Sequence, residues 1–224
     1  MVYRNIEEAV FLRRPNRFLA VVLRNGHEET VHVKNTGRLK ELFVPGARVL
    51  LSRGETAGRR TEFDLVSVYA GDTLVNVDSQ APNKIAEEYL RSFPLLSDLR
   101  PETVCGQSRF DFYGTYDNAP FYLEIKGVTL VKNGTAFFPD APTERGLKHI
   151  RELCAIRESG TNAGILFIIQ RSDADSFSPN RETQPAFAQA LLEAERVGVR
   201  IGAVNCSVVP GQVTVLNGVK VILS

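Results

Sequence analysis

The sequence predicts two domains: a small OB-like β-barrel over residues 1–80 and an α/β domain over residues 81–224. Three observations carry this. Up to about residue 80, short apolar runs of strand length recur between turn residues. Beyond it, helical and extended patterns alternate. The charge divides in nearly the same place. Residues 1–60 hold 12 Lys+Arg against 6 Asp+Glu, a net of +6, and residues 61–224 carry a net of −5. A basic first part suits a polyanionic partner, although the same charges scattered around a barrel would serve solubility alone.

In the first domain, Arg17–Leu23 is an apolar strand leading into Asn25-Gly26, the strongest two-residue hairpin signal, and Thr30–Val33 returns from it. A polar loop, Lys34–Arg38, precedes the short segment Leu39–Leu42. Pro45-Gly46 turns the chain into the strand Arg48–Ser52. After the charged loop 53–60, Glu62–Tyr69 and Thr73–Val77 pair around Gly71-Asp72. About five short strands in this space are what an OB-like barrel requires.

In the second domain, Asn83–Phe93 reads as a helix capped by Asn83, with Ile85, Tyr89 and Leu90 along its apolar stripe and Pro94 ending it. Two strands follow over residues 108–126. Pro142 falls in the first turn of a helix over residues 142–158. There Leu147, Ile150 and Cys154 face inward, and Glu144, Lys148 and Arg151 face out. Strand 163–170, helix 184–197 closed by Gly198, and strand 199–209 make a β-α-β run, with a final pair at 212–216 and 219–223.

The hairpin of residues 108–126 bears the candidate chemistry. It runs Ser108-Arg-Phe-Asp111-Phe, turns at Tyr116–Pro120, and returns through Phe121-Tyr-Leu-Glu124-Ile125-Lys126. Strand side chains alternate, so Glu124 and Lys126 share a face, and Asp111 on the partner strand can meet them. Two carboxylates and an ammonium at one spot can hold a hard divalent cation and orient a water, the equipment for cutting a phosphodiester. The same residues would also make an ordinary solvated strand face with cross-strand ion pairs.

Several other chemistries are excluded. The sequence contains no G-x-x-x-x-G-K-[ST], G-x-S-x-G, H-E-x-x-H or G-x-G-x-x-G. Its three cysteines are scattered without a C-x-x-C, and its three histidines are too few for a histidine-rich zinc site. The longest apolar run, Ala163–Ile169, is far too short to span a bilayer, so no membrane partner is expected. Glu7 and Glu8 stand where a signal peptide would be apolar, which gives the expectation of a cytoplasmic protein.

The order of elements, with Asp on one strand and Glu-x-Lys on the next, is similar to the PD-(D/E)xK nuclease fold. The segments Ser108–Phe112, Glu124–Leu130 and above all Phe138–Leu153 resemble the sugar fermentation stimulation protein A (SfsA) family, as do Arg17–Ala20, Asn35-Thr-Gly37 and Phe177-Ser-Pro179. The resemblance spans essentially the whole chain, with Gly127 standing where a serine is expected. It implies an N-terminal OB-like domain, a C-terminal nuclease-like domain with a mixed central sheet, and DNA binding of low sequence specificity.

In that context, Asp111 and Glu124, with the main-chain carbonyl of Ile125, are the expected ligands of Mg²⁺ or Mn²⁺. Lys126 would hold the attacking water or offset charge on the phosphate. Glu88, favoured over Glu87, would complete the site from its helix, with Glu102 a further candidate. Glu144 and Lys148 either form an i,i+4 ion pair or line the cleft and touch phosphate. Arg145 and His149 form the neighbouring row, His149 being a proton shuttle or plain polar surface. On the barrel, Arg13, Arg14, Arg17, Lys34, Arg38, Arg59 and Arg60 are the phosphate-contact candidates. Of the aromatics Phe11, Phe18, Phe43 and Phe63, Phe18 and Phe63 are assigned to the core, so stacking is thin and binding mainly electrostatic. The expected partner is DNA, single- or double-stranded, with RNA a weaker alternative and a homodimer left open. The rival to a metal-dependent phosphodiesterase is a non-catalytic DNA-binding regulator linked to sugar utilisation.

Overall fold

The computed structural model describes residues 1–54 and 58–224, so part of the charged loop 53–60 lies outside the described residues. Among the described residues the first domain has six strands: β1 (Ile6–Arg13), β2 (Leu19–Arg24), β3 (His27–Val33), β4 (Arg48–Arg53), β5 (Phe63–Ala70) and β6 (Thr73–Asn76). They run in the order β3-β2-β1-β4-β5-β6, and a parallel β3–β5 pairing closes the first five into a barrel. Phe11, Phe43 and Phe63 fill it together with Val22, Val33, Leu51 and Leu65. Here the structure corrects the sequence reading. Phe11 and Phe43 are buried and stack on each other at 5.3 Å, while Phe18 is 55% exposed. Phe18 lies just before β2, outside the inward alternation.

The second domain begins with α1 (Ala81–Leu90). Strands β7 (Leu96–Cys105), β8 (Ser108–Tyr116) and β9 (Ala119–Val128) form an antiparallel meander. Then come β10 (Val131–Lys132), β11 (Thr135–Phe138), α2 (Glu144–Glu158), β12 (Asn162–Ile169), β13 (Ser176–Pro179), α3 (Pro185–Val197), β14 (Arg200–Val209), β15 (Gln212–Gly218) and β16 (Lys220–Val221). The central sheet runs β15-β14-β12-β9-β8-β7. It is mixed: β12 is parallel to both β9 and β14, and the outer pairs are antiparallel. A smaller sheet, β10-β11-β13-β16, flanks it.

Helices divide the main sheet into two cores. α2 and α3 cover one face, where Leu147, Ile150, Ile165, Phe167, Phe187 and Leu191 pack. α1 covers part of the other with Ile85, Phe112, Ile125, Ile168 and Val204. Two helix starts differ from the sequence reading. α1 begins at Ala81 with Pro82 in its first turn, so Asn83 lies inside the helix and its side chain is free for another task. Thr143 caps α2 by accepting from the Gly146 amide at 3.0 Å, so Pro142 precedes the cap. No described helix is long and apolar enough to cross a membrane.

Polar contacts join the domains. The Asn76 amide donates to the Gln170 carbonyl at 2.9 Å, and Gln170 Nε2 donates back to Asn76 Oδ1 at 2.7 Å. The loop Asn35-Thr36-Gly37 approaches Asp140, whose Oδ2 lies 3.2 Å from where a Gly37 Cβ would stand.

Candidate functional site

β8 and β9 pair regularly from Tyr116↔Ala119 up to Phe112↔Leu123, and the described register stops there. The next residues on each strand are Asp111 and Glu124. Where the ladder ends, the Ile125 N–H donates to Asp111 Oδ2 at 2.7 Å, so a side chain replaces the missing strand partner. The other Asp111 oxygen, Oδ1, accepts from Asn83 Nδ2 at 2.7 Å. α1 therefore reaches this place through Asn83. Burial, then the nearby Glu124 charge, pushes the Asp111 carboxyl above its ordinary value, against these two bonds and Lys126.

Glu124 is 3% exposed. Its Oε1 accepts from Lys126 Nζ at 2.6 Å and from His149 Nδ1 of α2. His149 Nε2 in turn accepts from Arg145 Nε at 3.5 Å, and the two contacts together assign the proton to Nδ1. The second oxygen, Glu124 Oε2, is buried and has no partner among the described residues. Burial alone would raise this carboxyl, but His149 and Lys126 outweigh it and hold Glu124 below its ordinary value. The result is a charged, buried carboxylate with one unsatisfied oxygen beside a second carboxylate. Among the described residues, no three His, Cys, Asp or Glu side chains form a ready-made metal cage.

Asp111, Glu124 and Lys126 thus come together, joined by Asn83 and His149. Other candidates do not. Glu88 is exposed, and its Oε2 accepts from the Met1 amine at 2.5 Å. Glu87 pairs with Arg91 at 2.7 Å, and Glu102 pairs with Arg109 at 2.7 Å. Glu144 is exposed at the start of α2. Lys148 pairs with Glu152 at 3.7 Å, one turn further along than the pairing the sequence suggested. Asn83 was hidden from sequence reasoning because a helix-starting asparagine reads first as a cap. The signal against it was Pro82, which places the helix start earlier.

The barrel candidates separate into bound and free groups. Arg14 is folded inward: its guanidinium donates to the carbonyls of Gly37, Arg38, Arg17 and Asn35 at 2.6–2.9 Å and lies over the Phe43 ring. Arg59 and Lys34 both turn to the buried Asp64, Lys34 at 3.4 Å, and His32 Nδ1 meets the same carboxylate at 3.0 Å. Arg13 pairs with Glu28 at 2.9 Å on the surface. Arg17, Arg38 and Arg60 are exposed and make no ion pair among the described residues.

Two family models match the chain: the sugar fermentation stimulation protein RE domain over residues 80–212 and the SfsA N-terminal OB domain over residues 12–77. The chain belongs to the SfsA family. A sugar fermentation stimulation protein homolog of Clostridium perfringens is 48% identical over 97% of both chains. One from Desulfitobacterium hafniense is 47% identical over 93% of this chain and 92% of its own. Among solved structures, Pyrococcus furiosus SfsA in complex with Ca²⁺ matches with a TM-score of 0.88 and 28% identity, covering 99% of this chain and 98% of that one. Both SfsA domains are therefore present, barrel first and mixed α/β sheet second. Two stretches noted in the sequence as family-like, Asn35–Gly37 and Phe138–Leu153, meet in space where Gly37 faces Asp140.

Proposed function

We propose that this protein binds DNA with low sequence specificity and carries a divalent-metal phosphodiesterase site on β8 and β9. The observation that carries the reading is Glu124 Oε2, a buried carboxylate oxygen with no partner among the described residues. Leaving an ionised oxygen buried and unsatisfied is costly, and a cation at that point removes the cost. The donor set suits a hard cation: oxygens of Asp111 and Glu124, with the main-chain carbonyl of Ile125, the residue after Glu124 on β9. The Ca²⁺ complex of the P. furiosus SfsA supports a divalent ion in this family. When bound, Mg²⁺ or Mn²⁺ would polarise the phosphate and make water a better nucleophile.

The protein's own groups would then have distinct tasks. Asn83 and the Ile125 amide fix the Asp111 carboxylate. His149 fixes Glu124 from the opposite face of the sheet. Lys126, 15% exposed at its side chain, stands ready to leave Glu124 and meet the charge that builds on phosphate oxygen. Arg145, Lys148 and Arg151 lie on the exposed side of α2, where a phosphate backbone could run. On the barrel, the free Arg17, Arg38 and Arg60 with the exposed ring of Phe18 form the proposed gripping surface.

One observation favours the non-catalytic regulator: Glu88, expected to complete the site, is tied to Met1 instead, leaving two carboxylates. The discriminating experiment is incubation with labelled single- and double-stranded DNA and RNA, with Mn²⁺ and with chelator. Metal-dependent cleavage supports the enzyme. Binding without cleavage under every metal tried supports the regulator.

A further inference from the structure

The sheet face opposite Glu124 holds an open cavity of about 530 Å³. Its origin is a mismatch of lengths. α1 and β9 have ten residues each, about 15 Å of helix against about 33 Å of strand. α1 packs over Ile125, Ile168 and Val204 and then ends, leaving the other half of the face bare. The bare floor comes from three strands in register: Leu123 beside Gly164 beside Arg200, then Leu166 beside Gly202. Glycine occupies a floor position on both β12 and β14. A Cβ on Gly202 would touch only Leu166, at 3.4 Å, so a side chain there would grow into the open space. Tyr89, Phe93 and Tyr116 wall the cavity.

Charge at the rim narrows what fits. Arg200 lines the cavity next to the Gly164 floor and makes no ion pair or side-chain hydrogen bond among the described residues. Asp117, on the β8–β9 turn, also lines it and makes no ion pair among them, so the rim offers one cation offset by one anion and has no surplus positive charge for a polyanion such as a nucleotide. A mostly apolar lining with one charged group to fix orientation is the usual design of a small-molecule site, and the volume lies in the usual range. We propose that this cavity binds a small amphipathic monoanion, an aliphatic or aromatic carboxylate, its body on Gly164 and Gly202 and its head on Arg200. The proposal does not depend on the proposed metal site, whose Glu124 turns to α2 on the other side of β9.

The test is calorimetric titration of the full chain with decanoate below its micelle concentration, with decanol as the neutral counterpart. The expected result is saturable 1:1 binding of decanoate and weaker binding of decanol. Arg200→Ala should weaken decanoate roughly tenfold, the size of one lost charge-assisted hydrogen bond. Gly202→Leu should abolish binding by filling the floor. Should Gly202→Leu fail to fold, Arg200→Ala decides alone, because that side chain is exposed and unpartnered. Absence of saturable binding, or an Arg200→Ala affinity within twofold of wild type, overturns the proposal. A dimer in sedimentation that Gly202→Leu dissociates, with no decanoate uptake, also overturns it and gives the face to a second copy.

Discussion

His149 Nδ1 donates to Glu124 Oε1 in a buried contact that ties α2 to β9 across 25 residues of sequence. This bond and the one from Lys126 fall on the same oxygen, so Glu124 Oε2 is left free. The orientation of the carboxylate is thus set by a neighbouring helix.

His149→Ala should therefore weaken binding of Mn²⁺ by about 10–100-fold, the range for loss of an outer partner of a metal ligand. His149→Gln, which can still donate, should lose less. Both are read by calorimetric Mn²⁺ titration alongside a thermal melt. Equal affinity in all three proteins would show that His149 only fills space.

The basic residues of the barrel should divide by function. Arg14→Ala strips a guanidinium from four carbonyls and an aromatic ring, and should cost about 3 kcal/mol of stability. Arg17→Ala, Arg38→Ala and Arg60→Ala should each stay within about 0.5 kcal/mol of wild type. Combined, they should flatten the salt dependence of single-strand binding by about 0.7 in log–log slope per lost phosphate contact. An unchanged slope in the triple variant would place the DNA surface elsewhere.

Phe18 is an exposed aromatic on the barrel surface, 55% exposed. Phe18→Ala should weaken single-strand binding by about 1–3 kcal/mol if a base stacks on it, without changing the salt slope. Fluorescence anisotropy with a labelled oligonucleotide at two salt concentrations separates the effects. No loss would mean binding is purely electrostatic.

Asp64 gives a pH signature. Burial would raise its carboxyl, but the bonds from Arg59 and His32 and the charge of Lys34 hold it below the ordinary 3.8. A carboxylate depressed in the folded state contributes stability that is complete above the unfolded value, about 3.9, and is lost as pH falls through the lower folded value. The stability gap between wild type and Asp64→Asn should therefore be larger at pH 7 than at pH 3 in urea melts. An equal gap at both would mean the cluster does not depend on the charge.

The barrel hairpin at Asn25-Gly26, the buried strand 162–169 and the helices around Leu147 and Leu191 were legible because their apolar periods match their geometry. β1 and β7 were not. β1 reads Ile-Glu-Glu-Ala-Val-Phe-Leu-Arg, with its buried positions Ala9 and Phe11 set among partly exposed apolar residues, so no clear face emerges. β7 is an edge strand with Pro101, a register shift and positive φ at Asp98 and Glu102, and it buries no residue fully. Within the site, the Asp111–Glu124–Lys126 grouping followed from alternation on two paired strands. Asn83 and His149 did not, because each reaches the site from a helix whose position only the tertiary packing fixes. The same limit hid the inward fold of Arg14, whose partners are backbone carbonyls and leave no mark in the sequence.

The most direct measurement compares wild type, Glu124→Gln and Lys126→Ala for Mn²⁺- or Mg²⁺-dependent cleavage of labelled DNA, at equal purity and with chelator controls. The account predicts metal-dependent cleavage by wild type, reduced by about 10²–10³ or more in each variant, while DNA binding persists. Cleavage unchanged in both variants, or no cleavage by wild type with any metal and substrate, would contradict it.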